Sequence, residues 1–426
     1  LPEGEIVWSI QQDHVMPDLL FVGAETGIYV STNRGANWHK LNGNTPTISF
    51  RDIKIHRRDN DLVGATFGRG IFVLDDYSAL RDIASGALVA DAALFPVRDA
   101  WWYVPMVPGQ AVGLPTFGST KFVAPNPPFG ALLTYHLKSD ALSAKDSRRK
   151  AERDLDQAGA DVPFPGWDRL LAESLESPPK ALVLIRDADG QAVRWLEGPA
   201  TKGIHRISWD LRHPAPDAIS LEVPEFKPPW ESDPTGPMAG PGRYSAELML
   251  LADGATKALG EPRYFEVKPV PTAPDGTDFA AVAEFQKETL DLMRQISSVE
   301  RDIQRTEEQL QRMRAAVLQA TPGDPALNQQ LDTFAATLSG VKARLSGDAV
   351  RGGRNEATLP SIKSRVQRVA GFHWGTRQMP TVTQRRSIEI ASEEFAQLRA
   401  DLSGLLEESL TELEAELEAA GAPAWK

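Results

Sequence analysis

Apolar residues alternate with polar ones along the first part of the chain, in short runs bounded by turn residues. "EIVWSIQQD" places Ile6, Trp8 and Ile10 on one face of a strand. "DLLFVGAETGIYVSTNRGANWHKL" gives two short strands broken at Gly23 and Gly27, and residues 50–76 repeat the arrangement around a polar "RRDND" turn. Strands at this spacing predict all-β structure, and a repeat of about 40 residues holding several strands is the pattern of a propeller blade. Residues 85–115 read as a connector, with Trp101, Trp102 and Tyr103 either packing it onto a neighbouring domain or forming a binding platform. Alternating runs at 116–137 and 180–268 predict one β-sandwich, with Leu133, Tyr135, Val183, Ile185, Ile207, Trp209, Tyr244 and Leu248 in its core. A charged helical insertion at 138–179 interrupts it, and 222–242 is a Pro/Gly-rich loop.

Near residue 277 the period changes. Val282, Phe285, Thr289, Leu292, Ile296, Val299, Ile303, Thr306, Leu310, Met313 and Val317 follow one another at spacings of three and four, which predicts a coiled-coil seam. "TPGDP" at 321–325 stops that helix, and Leu327 to Leu345 resume the seam on a second one, as an antiparallel hairpin. A third helix carries Ile362, Val366 and Val369, and a fourth runs from about 383 to 419. The expected fold is multidomain β plus α: partial propeller blades over 1–84, a linker over 85–115, an immunoglobulin- or fibronectin-like sandwich over 116–272, and a helical bundle over 273–426.

Composition narrows function more than fold. A formal net charge of −12 over 426 residues argues against a nucleic-acid partner. Six glutamates and no Lys or Arg lie between 407 and 418. The absence of cysteine removes disulfides, thiolate nucleophiles and Cys-based metal sites. No apolar run approaches the length of a bilayer span, so membrane association is expected only through a partner. A start on Leu1, just before a strand pattern, suggests a processed product or a fragment.

The stretch "STNRGANW" matches Ser-x-Asp-x-Gly-x-x-Trp with Asn33 in the Asp position. In such a unit, which Ser31 opens, the Asn33 side chain caps its own turn, Gly35 takes a positive φ, and Trp38 staples the hairpin to the next strand. This is a folding device and carries no catalytic group. Together with "DLVGATFGRGIFVLDDYSALR", "NPPFGALLTYHL", "ALVLIRDADGQAVR", "GIHRISWDLR", "GPGRYSAELML" and "AGAP", it makes the chain resemble the C-terminal portion of bacterial exported proteins with sortilin-like, Asp-box (BNR) repeat propellers, often labelled glycosyl hydrolases. The resemblance implies a periplasmic or extracellular location. It departs in two places. Phe67 stands where the family usually has His, and family members are about twice as long or more. Residues 1–84 supply at most about two blades, whereas a closed propeller needs at least four. A further propeller segment or a protein partner is therefore expected against the β edge of 1–84.

Catalytic and metal-binding patterns are sparse. The seven histidines show no tight ligand spacing, so no metal or cofactor is assigned. Asp75–Asp76 reads as a strand-end turn ahead of a Ca²⁺ site, and the glycines of "GATFGRG" as close-packed turns, since no helix follows to hold a phosphate. Arg51, Arg69 and Asp76 are the nearest candidates for a glycosidase, without triad spacing. Phe372, His373 and Trp374, with Arg377, either close the helical bundle or form a recognition knob. No catalytic residue is assigned. The reading is a non-enzymatic binding or scaffold subunit, and the alternative is the C-terminal part of a glycosidase-like hydrolase whose catalytic blades lie elsewhere.

Overall fold

A computed structural model describes residues 1–106, 117–221, 226–228, 231, 233–252, 254–272, 276–320 and 326–423. The helix stop expected at 321–325, part of the 222–242 loop and residues 107–116 of the expected linker lie outside them. The protein is mixed β and α, with several sheets and a helical C-terminal region. It divides into two compact units: residues 1–102, 124–211 and 241–270, and residues 103–123, 212–240 and 271–426.

The first unit opens with a four-stranded antiparallel sheet in chain order, β1 (Val7–Gln12), β2 (Leu20–Ala24), β3 (Ile28–Ser31) and β4 (His39–Lys40). A three-stranded sheet follows, β5 (Phe50–His56), β6 (Asp61–Thr66) and β7 (Ile71–Leu74). A register shift between Val7 and Ser9 interrupts the alternation expected along β1. Alternation still selects what is buried: Phe21, Ile28, Val30, Phe50, Ile53 and Leu62 form one apolar layer shared by the two sheets. The sheets approach so closely that a Cβ on Gly64 would lie 2.8 Å from Phe50 Cδ1 and 2.9 Å from Ile28 Cδ1. Gly64 thus serves packing, while Gly68 and Gly70 hold positive φ in an open turn.

After α1 (Ala79–Ala84) and a 3₁₀ turn come β8 (Ala92–Leu94) and β9 (Ala100–Trp102). These correct the expected linker. β8 pairs with β10 (Ala131–Leu137), and β9 pairs in parallel with β16 (Arg263–Pro269). Burial of Leu94 and Trp102 draws the segment into the sheets. The insertion forms α2 (Ala144–Gln157) and α3 (Trp167–Leu175). It is followed by β11 (Lys180–Arg186), β12 (Ala192–Gly198), β13 (Gly203–Trp209), β14 (Gly242–Ala252) and β15 (Ala255–Ala258). One sheet has the order β13-β10-β8, and the other β12-β11-β14-β16-β9 with β15 on β14. Trp209 of the first meets Tyr244 and Phe265 of the second, with ring centroids 5.1 and 6.2 Å away. Of the expected core residues, only Ile207 is left half-buried.

The second unit holds α4 (Phe279–Val317), α5 (Ala326–Ser346), α6 (Ala349–Gly352), α7 (Ile362–His373), α8 (Val382–Gly404) and α9 (Leu410–Ala419). Every seam position expected on α4, α5 and α7 is buried. Ion pairs Arg314–Asp332 and Lys342–Glu307 set α5 antiparallel to α4. Lys363–Glu300 and the Gln286–His373 hydrogen bond do the same for α7. Contacts of Arg399 with Gln295 and of Gln309 with Glu414 run α8 and α9 parallel to α4. A π turn at Leu405–Ser409 absorbs the extra residue between Leu405 and Leu413, so that Leu413 and Leu417 return to the buried face. Residues 212–240, expected in the sandwich, belong to this unit, where Ser297 Oγ accepts from Ala218 N at 2.7 Å.

Gly64→Ala is expected to destabilise the first unit by about 1–3 kcal/mol through overpacking. Denaturant unfolding that shows Gly64→Ala as stable as the parent chain would contradict the packing described.

Candidate functional site

The polar groups of the first unit gather in three places. The turn after β3 is built on Ser31, which is fully buried. Its Oγ accepts from Gly35 N at 2.8 Å and donates to Asn33 Oδ1 at 3.1 Å. Asn33 Oδ1 in turn accepts from Asn37 N at 2.8 Å. Arg34 and Gly35 both take positive φ, at 56° and 87°. Trp38 lies over the turn and packs, partly buried, against Val22, Ala24 and Tyr29. Ser31 Oγ and Asn33 Oδ1 are thus both spent on the turn itself.

A second group was not singled out in the sequence. Asp13, whose side chain is fully buried, accepts from Tyr77 Oη at 2.6 Å, from Arg81 Nη2 and Nε at 2.8 Å each, and from Met16 N at 2.7 Å. Arg81 Nη2 also donates to Asn60 Oδ1 at 2.7 Å. Burial opposes the Asp13 charge, but the Arg81 and Tyr77 hydrogen bonds overcome it and hold the carboxyl well below the usual range. Burial, with Asp13 beside it, pushes the Tyr77 phenol up. The cluster joins the end of β1, the β5–β6 turn and α1. It is a clasp, with the carboxylate buried and the guanidinium partly exposed.

The third group lies around the β5–β6 turn. His56, Asp59 and Asp61 bring potential ligand atoms within 4.8 Å of one another. His56 Nδ1 lies 3.1 Å from Asp59 Oδ2 and 3.9 Å from Asp61 Oδ2. Arg58 donates twice to Asp59 Oδ2, at 2.9 and 2.8 Å, and Arg98 Nη1 lies 3.6 Å from Asp61 Oδ1. Burial works against the Asp59 charge, yet Arg58 holds its carboxyl below the ordinary value. Two guanidinium groups therefore answer the two carboxylates a cation would need. Asp75 stands beside them with its carboxyl raised, by burial and by the Asp61 charge. Asp76 lies just before α1, accepting from Ser78 Oγ at 2.6 Å and Ser78 N at 3.2 Å. Arg206 donates to the carbonyls of Asp75 and Asp76 at 2.6 and 2.7 Å.

The candidate glycosidase set serves separate tasks. Arg51 stacks on Trp8 at 3.6 Å and on Phe67 at 5.2 Å. Arg69 N donates to Thr66 Oγ1 in a turn, and Asp76 is the buried residue just described. Trp102 is buried, while Trp101 stays 39% exposed.

In the second unit the 372–374 aromatics divide. Trp374 Nε1 donates to Thr289 Oγ1 at 2.9 Å, and Gln286 Nε2 donates to His373 O at 2.9 Å. The His373 ring meets Phe285 edge-on at 5.1 Å, and its Nε2 lies 3.0 Å from Gln378 O. Burial pushes the His373 imidazole below its ordinary value. Phe372 points the other way and is 72% exposed.

No family model and no curated protein matches the chain. Similar solved structures include the extracellular domain of BT4673 from B. thetaiotaomicron, at 12% identity and TM-score 0.14, over 64% of this chain and 26% of that one. A second structure of that extracellular domain gives 12% identity and TM-score 0.14, over 63% and 26%. PorZ, a surface component of the type-IX secretion system of Porphyromonas gingivalis, gives 12% identity and TM-score 0.17, over 62% and 30%. The chain spans less than a third of the length of each of these extracellular or surface proteins.

Asp13→Asn is expected to cost about 3–5 kcal/mol, because Arg81 keeps its charge in a buried place without its partner. A carboxyl lowered in the folded state stabilises above its unfolded value near pH 4 and loses that contribution as pH falls. Acid titration of unfolding should therefore show the parent losing stability below about pH 4 more steeply than Asp13→Asn. Parallel curves would remove the clasp.

Proposed function

We propose that this chain is a non-enzymatic binding or scaffold element of an exported, periplasmic or extracellular propeller protein. In this reading the two small sheets are Asp-box blades, the two larger sheets a β-sandwich, and the helices a coiled-coil brace. Further blades, on another propeller segment or a partner subunit, cover the β edge of residues 1–84.

One observation carries the reading. Ile6, Trp8 and Ile10, at and just before β1, are 52, 44 and 58% exposed. Ile71 and Val73 of β7 are 67 and 51% exposed, while Phe72 between them turns inward against Phe50. Two sheets that share one apolar layer thus leave apolar residues uncovered at β1 and at β7. Such patches mark interaction surfaces. β7 also ends its three-stranded sheet, with an unpaired ladder that a further strand would fill. Among the described residues no helix is long and apolar enough to cross a membrane. A net charge of −12 also disfavours nucleic acid.

The hydrolase alternative draws on Asp75, a carboxyl raised by burial and by Asp61. Its partner carboxylate is tied to backbone and arginine, since Asp61 Oδ1 accepts from Asp76 N at 2.9 Å. Turnover of aryl glycosides or sialosides is expected to be absent from about pH 4 to 8. Activity lost in Asp75→Asn would favour the hydrolase.

The docking reading is tested by native mass measurement of the chain from its source. It is expected in a larger assembly, and Ile71→Lys with Val73→Lys should release it without lowering its own unfolding midpoint. A monomer in both forms would count against the proposal.

A further inference from the structure

The α2–α3 hairpin carries its polarity reversed. Its helices meet through ions. Arg148 donates to Glu173 through Nε at 2.8 and 3.0 Å and through Nη2 at 2.7 Å, and to Glu152 through Nη1 at 2.6 Å. Arg169 Nε lies 3.3 Å from Glu173, whose side chain is only 3% exposed. Glu176 closes the other end, accepting from Ala144 N at 2.8 Å with both oxygens. The apolar side chains face solvent instead. Phe164, Trp167, Leu171 and Leu175 are 63, 78, 62 and 77% exposed.

Trp167, Leu171 and Leu175 lie at i, i+4 and i+8, so they form one stripe along α3. Phe164 stacks edge-on against Trp167 at 5.1 Å and extends the stripe beyond the helix start. A helix of nine residues is marginal in water by itself. Here the buried ionic clasp holds it, which leaves the whole stripe free for another surface.

We infer that α3 is a docking helix whose Trp167–Leu171–Leu175 stripe seats in an apolar groove of a partner protein. Three occupants compete, and charge and area choose among them. Helices that lie on anionic bilayers carry an excess of Lys and Arg. Residues 143–177 hold six Lys and Arg against eight Asp and Glu, which disfavours that surface. A second copy, stripe against stripe, would cover only the touching half of each helix, roughly 600 Å² in all, below the ~1,000 Å² of a stable interface. A groove encloses the stripe from both sides and suits anchors at this spacing. Asp161 and Asp168 flank the aromatic end, exposed and in no ion pair among the described residues, so the rim they meet is cationic. This inference rests on a different element and a different observation from the docking of residues 1–84.

The test places a photo-crosslinking side chain at Leu171 or, about 100° round the helix and off the stripe, at Ala172, in the full chain in its source cells. Adducts are identified by mass spectrometry, and the protein found is purified for a binding titration. The expected result is one adduct from position 171 and none from 172, with crosslinks mapping to an apolar groove. Trp167→Ala with Leu175→Ala should weaken binding of the purified partner at least about tenfold, as loss of central anchors does. Its unfolding midpoint should stay unchanged, because the replaced side chains are exposed. Equal adducts from both positions, no adduct from either, or an adduct only with a second copy would overturn the inference. So would flotation with phosphatidylglycerol–phosphatidylcholine vesicles that the same double variant abolishes.

Discussion

Residues 1–84 are governed by one constraint: two short sheets share a single apolar layer, which leaves apolar residues of β1 and β7 largely exposed. The layer itself is tight. Gly64 and Gly23 permit a backbone approach that no side chain would allow, with a Cβ on Gly23 falling 2.7 Å from Phe50 O. The Asp13–Tyr77–Arg81 clasp adds a polar tie at the edge of this layer, with the Tyr77 ring packed inside it against Phe21 at 4.9 Å. Its carboxylate is fully buried and answered by a bidentate guanidinium, which makes removal of one partner far costlier than its net contribution.

The same accounting of partners bears on chemistry. A catalytic or metal site needs polar groups that are positioned yet not already satisfied. The groups near the β5–β6 turn are positioned, but Arg58, Arg98 and Arg206 engage their carboxylates or carbonyls. The turn after β3 spends Ser31 and Asn33 on its own backbone. Large apolar side chains, in contrast, remain exposed. Ile71 and Val73, Trp167 and Leu171, and Phe372 are all held on regular elements or at their ends with their side chains in water.

Periodicity determined much of this in advance. The seam from Val282 to Val317 is legible because a long helix buries one face at a fixed spacing whatever it packs on. The alternating strands of 131–137, 180–186 and 242–252 are legible for the same reason, with period two in place of 3.6. The turn after β3 was legible because its hydrogen bonds are local, within seven residues of Ser31. Other features depend on residues far apart in the chain, as where Asp13 meets Arg81 across 68 positions. The connector at 85–115 read as irregular because strands of three residues have no usable period, and only the ladders of β10 and β16 make β8 and β9 strands. The reversed polarity of the α2–α3 hairpin was equally hidden. A sequence shows that Leu171 and Glu173 lie on different faces of a helix, and only the tertiary structure decides which face turns inward.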